Sequence, residues 1–230
     1  MELIELLKVN QQSFHSLFSP DLRPDNTFML DLSESNKELQ TLDFTDTAGL
    51  GQLIFDELQK KNAVYAYGGY QEDRAVYKRS PLFASSNEQA RSIHLGTDIW
   101  AEANTPVYLP LGVRIHSFRN NDNYGDYGPT IILEHQLGDT RFFTLYGHLT
   151  ADSLEDKSIH MPLRAGDVLC RIGDAPVNGD WPPHLHFQVI ADMQGWSGDF
   201  PGVCTKKEKL RYERICPDPG VFFPKLYQKA

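Results

Sequence analysis

WPPHLHFQVI, residues 181–190, sets two histidines one residue apart inside an apolar run. On a β-strand side chains alternate, so His184 and His186 point to one face while Leu185 and Phe187 point to the other. Pro182 and Pro183 help fix where that strand begins. Two imidazoles a few ångströms apart on one face can reach the same small site. Taken alone, H-x-H fits either a strand with solvent-facing histidines or a metal site. The rest of the chain has to decide between them.

The chain has 230 residues, enough for one sizeable core with an accessory segment. Its net charge of −9 argues against nucleic acid or an anionic membrane as the main partner, since both need clustered Lys and Arg. The three cysteines, Cys170, Cys204 and Cys216, leave at least one thiol unpaired, unlike a secreted disulfide scaffold. Cys204 and Cys216 also lack the C-x-x-C spacing of a zinc knuckle, which leaves them as buried or free thiols. MELIELLKVNQQSFHSLF has neither a basic n-region nor a long apolar h-region, so no signal peptide is read. No apolar run reaches the roughly 18 residues of a membrane span. The expected location is cytoplasmic, or periplasmic or extracellular if a leader was removed.

Apolar positions from Glu2 to Phe18 recur with helical spacing, and those from Thr47 to Lys61 do so again, with Thr45 or Asp46 as cap. Thr27–Leu32 reads as a short strand between them. Residues 1–64 therefore read as an α/β extension without a motif. After Tyr65 the texture changes. Strand-like runs follow at Thr105–Phe118, Thr130–His135, Arg141–Tyr146, Asp167–Ile172 and His184–Ile190, separated by Gly, Asn, Asp and Pro. Such a series predicts a mainly β, antiparallel sheet, sandwich or barrel, over residues 65–194. LPLGVRIHSF and PLRAGDVLCRIG each place a glycine turn before a strand, a weak internal echo. Residues 195–230 are proline-rich and read as a wrap over the surface, with a short helix near Lys206–Ile215.

Of the eight histidines, His15, His116, His135 and His160 have no chemical partner in their local sequence. The other four stand in richer contexts. His94 begins HLGTDIW, with the carboxylate of Asp98 four residues on; His148 ends FFTLYGHL. Three protein ligands with one open position make a catalytic zinc site. His94, Asp98 and one of the pair His184/His186 supply three. His148 and the other member of the pair remain to manage protons or stabilise developing charge.

HLGTD, LYGHL and PHLHF, in that order, resemble the three signature motifs of the lysostaphin-type, LytM-like zinc metalloendopeptidases. The likeness covers roughly Ser92 to Ala191 and extends to NYGDYGPTIILEH and LRAGDVLCRIG. It implies a folded antiparallel sheet with a duplicated hybrid motif of barrel-sandwich type. It implies one Zn2+ per chain on His94, Asp98 and His186, with His148 and His184 as catalytic, non-ligating histidines. It further implies a zinc-bound water attacking a peptide carbonyl, and a peptide or peptidoglycan-derived substrate. Tyr146, two residues before His148, shares its face on a regular strand and is a candidate groove contact.

The chain departs from the family where APVNGDWPP replaces a Gly-rich turn and where Gln188 stands in place of a frequent Glu. Both changes bear on the groove, and so on the substrate. Two other readings compete: a non-catalytic LytM-like binding or regulatory module, and an intracellular hydrolase of a non-peptidoglycan amide. A cupin-like metalloenzyme, which also uses H-x-H, wants a Glu three to five residues later and a further histidine. FQVIADMQG supplies neither, and no histidine follows His186.

Overall fold

The computed structural model describes residues 2–37, 39, 42–80, 82–83 and 90–227. The first helix, α1 (Leu3–Asn10), buries Leu7 and ends where the Asn10 side-chain amide donates back to the Leu6 carbonyl at 2.8 Å. The helix expected to run to Phe18 stops short. Phe14 is already extended and stacks on Phe222 with ring centroids 4.8 Å apart, and Leu17 and Phe18 are buried. Packing against the C-terminal segment, rather than helical periodicity, accounts for those later apolar positions.

The strand expected at Thr27–Leu32 is the shorter β1 (Thr27–Met29). Next comes α2 (Thr47–Lys60), whose N-cap is Asp46: its carboxylate accepts the Gly49 amide at 2.9 Å. Leu50, Ile54 and Leu58 form its buried stripe at four-residue spacing. The remaining regular elements are β2 (Tyr65–Gly68), β3 (Arg91–His94), β4 (Thr97–Trp100), β5 (Pro106–Tyr108), β6 (Val113–Asn121), β7 (Gly128–Leu137), β8 (Thr140–Gly147), β9 (Pro162–Leu163), β10 (Val168–Arg171), β11 (His184–Ile190), β12 (Val203–Thr205) and α3 (Lys209–Ile215). The run read as one strand over Thr105–Phe118 is two, β5 and β6, because Pro110 and Gly112 interrupt it. Near the C-terminus a 3₁₀ turn, Lys206–Glu208, leads into α3 with Thr205 and Glu208 in a capping box.

The main sheet has eight strands in the order β1-β2-β4-β11-β8-β7-β6-β9. The β1–β2 pair is parallel and every other neighbouring pair is antiparallel. The architecture is thus mainly β and antiparallel with an α/β extension, as expected from the strand-like runs. The extension lends β1 to the same sheet.

Side-chain alternation on β11 divides two cores. Leu185, Phe187 and Val189 pack with Ile99, Leu133 and Tyr146, and with Phe222 and Phe223 from the C-terminal segment. Above the opposite face, Ala66, Trp100 and Trp181 pack with Leu50, Ile54 and Leu58 of α2. Both faces are covered, so all seven residues of β11 are buried. The three cysteines are buried and free. No helix of the described residues is long and apolar enough to cross a membrane.

Candidate active site

Strand register builds the site. Across β4 and β11, Asp98 pairs with His186 and Trp100 with His184; on the other side of β11, Gly147 pairs with His186. Cross-strand partners share a face, so Asp98, His184 and His186 project together. His94 ends β3, and Leu95–Gly96 turns the chain into β4. Gly96 is required there by close approach: a Cβ on it would lie 2.7 Å from the His186 ring and 2.8 Å from the Phe187 carbonyl oxygen.

His94, Asp98 and His186 converge. His94 Nε2 lies 2.9 Å from His186 Nδ1, His186 Nδ1 lies 3.1 Å from Asp98 Oδ1, and His94 Nε2 lies 3.4 Å from Asp98 Oδ1. The far side of each ring identifies its tautomer. His94 Nδ1 donates to the Gly69 carbonyl at 2.9 Å. His186 Nε2 donates to Gln188 Oε1 at 2.9 Å, and the Gln188 amide nitrogen is turned away toward the Pro201 carbonyl. Each outer nitrogen faces an acceptor, so it carries the proton. The inner atoms are then three lone-pair donors, all buried, with no proton between them.

Such a cluster is repulsive unless a cation sits in it. Zinc bonds of ~2.0–2.1 Å in a tetrahedron put donors about 3.3 Å apart, close to the separations observed. Both imidazoles also have the outer hydrogen bond that metal-ligating histidines normally make. These three residues could therefore hold a metal ion. Burial would raise the Asp98 carboxyl, but His94, Arg74 and His184 outweigh it and hold it well below the ordinary carboxylate range. Burial and the Arg74 charge push His94 down to about 3. Both shifts favour the deprotonated forms a metal requires.

His148 and His184 stand beside this cluster, their ring centroids 4.2 Å apart. His148 Nδ1 donates to the Asn178 carbonyl at 2.8 Å and His184 Nδ1 to the Pro182 carbonyl at 2.7 Å. Each leaves Nε2 as an acceptor, that of His184 being 4.0 Å from Asp98 Oδ1. Burial, reinforced by the neighbouring histidines, lowers both below the ordinary histidine range, so both are neutral near pH 7. Trp100 stacks on His184 at 5.7 Å, and Trp181 stands edge-on to both rings.

The profile of peptidase family M23 matches residues 92–197. That segment is similar to peptidase family M23. No curated protein sequence matches the chain. Among solved structures, an M23 peptidase from Pseudomonas aeruginosa is similar at 20% identity, covering 59% of this chain and 45% of that one, with a TM-score of 0.38. The catalytic domain of lysostaphin from Staphylococcus simulans has 20% identity over 52% of this chain and 80% of that one, TM-score 0.37. A zinc-containing peptidase from Vibrio cholerae has 24% identity over 46% and 30%, TM-score 0.34. The chain spans less than half the length of the Pseudomonas and Vibrio proteins.

All five residues singled out in the sequence lie in the M23 segment, and the fold brings them together. Parts of the surroundings escaped the sequence reading. Arg74, from outside the segment, is 3% exposed and spans two carboxylates. Its Nε donates to Glu72 at 2.6 Å and its Nη1 to Asp98 Oδ2 at 2.5 Å. Tyr127 packs on His186 and His148, with ring centroids at 5.0 and 5.6 Å, and its hydroxyl lies 3.5 Å from His186 Nε2. Tyr127 sits in the quoted NYGDYG stretch, but nothing in its spacing marks it.

Tyr146 is a correction. It is fully buried against Phe187 in the core rather than in the groove. β8 ends at Gly147, and His148 takes a left-handed φ of 62° that breaks the alternation relating the two residues. The histidines set aside lie elsewhere: His15 and His160 are exposed, His116 is half-buried, and His135 is buried beside Thr144.

Proposed function

We propose that the chain is a zinc-dependent hydrolase of peptide or other amide bonds, with cell-wall peptides as the substrate class that the family suggests. His94 Nε2, Asp98 Oδ1 and His186 Nδ1 would hold the zinc. The observation that carries this reading is the convergence of three proton-free donors beside two neutral histidines whose Nε2 atoms remain acceptors. Zinc in that position supplies Lewis acidity, to a carbonyl oxygen and to water alike.

The chain's own groups do the rest. Nε2 of His148 or His184 takes the proton of the attacking water as its oxygen bonds to the carbonyl carbon. The imidazolium so formed returns that proton to the leaving nitrogen as the C–N bond breaks. The Nδ1 hydrogen bonds to Asn178 and Pro182 keep each ring in the tautomer this requires. Asp98, 4.0 Å from His184 Nε2, stabilises the charged form of that ring. Trp100, Trp181 and Tyr127 shield the rings from bulk water, where the same hydrogen bonds would be weaker.

The test pairs metal analysis with turnover. About one zinc per purified chain is expected. His148→Ala and His184→Ala should each keep the zinc and lower kcat by ~10²–10⁴. Full activity in both variants, or a protein that takes up no zinc, overturns the reading.

A further inference from the structure

A cavity with a volume of about 140 Å³ opens onto Asp98, His148, His184 and His186, and the hydrolase reading gives no role to its opposite wall. A single water needs only ~10–15 Å³ by the same measure, so the cavity has room for a substrate group. Its lining is not uniform. The charged lining residues Arg91, Asp126 and Asp199 are partly exposed, whereas Leu50, Ile54, Val76 and Trp100 are buried. The buried lining thus has two sides, a polar one of Arg74, Asp98 and the three histidines and an apolar one of Leu50, Ile54, Val76 and Trp100. The charges that do reach the interior, Arg74 and Asp98, are paired with each other.

The apolar wall has a separate origin from the histidines it faces. Leu50 and Ile54 come from α2, and Val76 and Tyr77 from the connection that follows β2, all before the M23 segment at residues 92–197. They share one hydrophobic cluster with Trp100 and Trp181, the rings that touch His184. Apolar wall and proton-transfer groups are therefore contiguous through two tryptophans.

We propose that this pocket is a specificity subsite that takes a bulky apolar side chain, aromatic or branched aliphatic, on a residue flanking the scissile amide. The proposal rests on the hydrolase reading for what happens at the amide, but not for what fills the pocket. A glycine or alanine at that position would leave the apolar lining wet. An acidic side chain would meet the apolar wall of Leu50, Ile54, Val76 and Trp100, and the nearest buried cation, Arg74, already carries the two carboxylates of Glu72 and Asp98. A phenylalanine or leucine would displace water from Leu50, Ile54, Val76 and Trp100, and hydrophobic pockets discriminate by ~10-fold or more per methylene.

The chain carries its own probe, because all three of its tryptophans, Trp100, Trp181 and Trp196, line the cavity. The full chain, with and without added zinc, would be titrated with N-acetyl amides of phenylalanine, leucine, alanine and aspartate in both enantiomeric forms, reading tryptophan fluorescence. The expected result is a Kd at least ~10-fold lower for phenylalanine or leucine than for alanine or aspartate. Leu50→Phe, which narrows the pocket, should remove that preference; Val76→Phe is the second choice if Leu50→Phe lowers Tm. Equal affinities across the series, or a preference for alanine or aspartate, overturn the subsite. Hydrolysis is scored separately on peptides bearing the same side chains. Cleavage without apolar preference sinks the subsite alone. Apolar preference without any cleavage by the zinc-loaded chain sinks the hydrolase reading alone.

Discussion

Asp98 offers one oxygen, Oδ1, to the histidine nitrogens, while Arg74 holds the other, Oδ2. A carboxylate gripped in this way cannot swing to present both oxygens to a metal, and its charge would be shared between Arg74 and a bound cation. Arg74 is in turn held by Glu72, so the guanidinium cannot follow Asp98 away. Removing one member of a buried ion pair leaves the other uncompensated, at a cost of about 3–5 kcal/mol, and loss of such a supporting group weakens metal binding by ~10–100-fold. Arg74→Ala should show both effects, read by thermal melting and by zinc competition with a chelator. Arg74→Lys, which keeps the charge but not the fork, should restore stability more than affinity. An unchanged zinc affinity in Arg74→Ala would remove Arg74 from the site's function. Legibility at this scale rests on strand alternation for one pair and on motif resemblance for the rest. Alternation pairs His184 with His186 on one strand face, whereas their union with His94, Asp98 and His148 is implied by the resemblance of the three ordered motifs. Arg74 was not legible, because YQEDRAVY has no periodicity and lies outside all three motifs.

The helix that walls the pocket was readable almost to its ends, because Asp46 caps it and Leu50, Ile54 and Leu58 repeat at four residues. The first helix was misjudged because Phe14, Leu17 and Phe18 keep an apolar rhythm that the C-terminal segment, not a helix, satisfies. The cap of α2 makes an element-scale prediction. Asp46→Ala frees the Gly49 amide and should cost about 1 kcal/mol. For a chain of this length that is a Tm fall of ~2–4 °C. The site residues all lie on β-strands or their turns, so zinc stoichiometry should not change. Loss of zinc in this variant would mean that α2 supports the histidines directly rather than the pocket wall opposite them.

At the scale of the whole molecule, two terms set the response to metal and acid. A ligand that binds only the folded state stabilises it by about 2.7 kcal/mol at 100 times its Kd. Chelation of zinc should therefore lower Tm by ~5–11 °C, and His186→Ala should melt at one temperature with or without chelator. Acid acts through buried neutral imidazoles. His135, stacked on Phe142 and 2.6 Å from the Thr144 hydroxyl, is pushed by burial to about 3 from an ordinary 6.5. Between those values the unfolded chain binds a proton that the folded chain does not, so stability falls as pH drops through 6.5 and stops falling near 3. The slope is about 1.4 kcal/mol per pH unit, or roughly 2.7 kcal/mol between pH 6.5 and 4.5. His94, His148 and His184 act in the same direction, so the total slope does not isolate His135. The difference between wild type and His135→Gln does, because glutamine keeps a hydrogen-bonding partner for Thr144 but cannot titrate. Denaturant melts of the two proteins at pH 7.0, 5.5 and 4.5 should show the variant losing about 2–3 kcal/mol less over that range. Parallel acid limbs would mean that His135 is protonated in the folded state and that acid sensitivity resides in the site histidines alone.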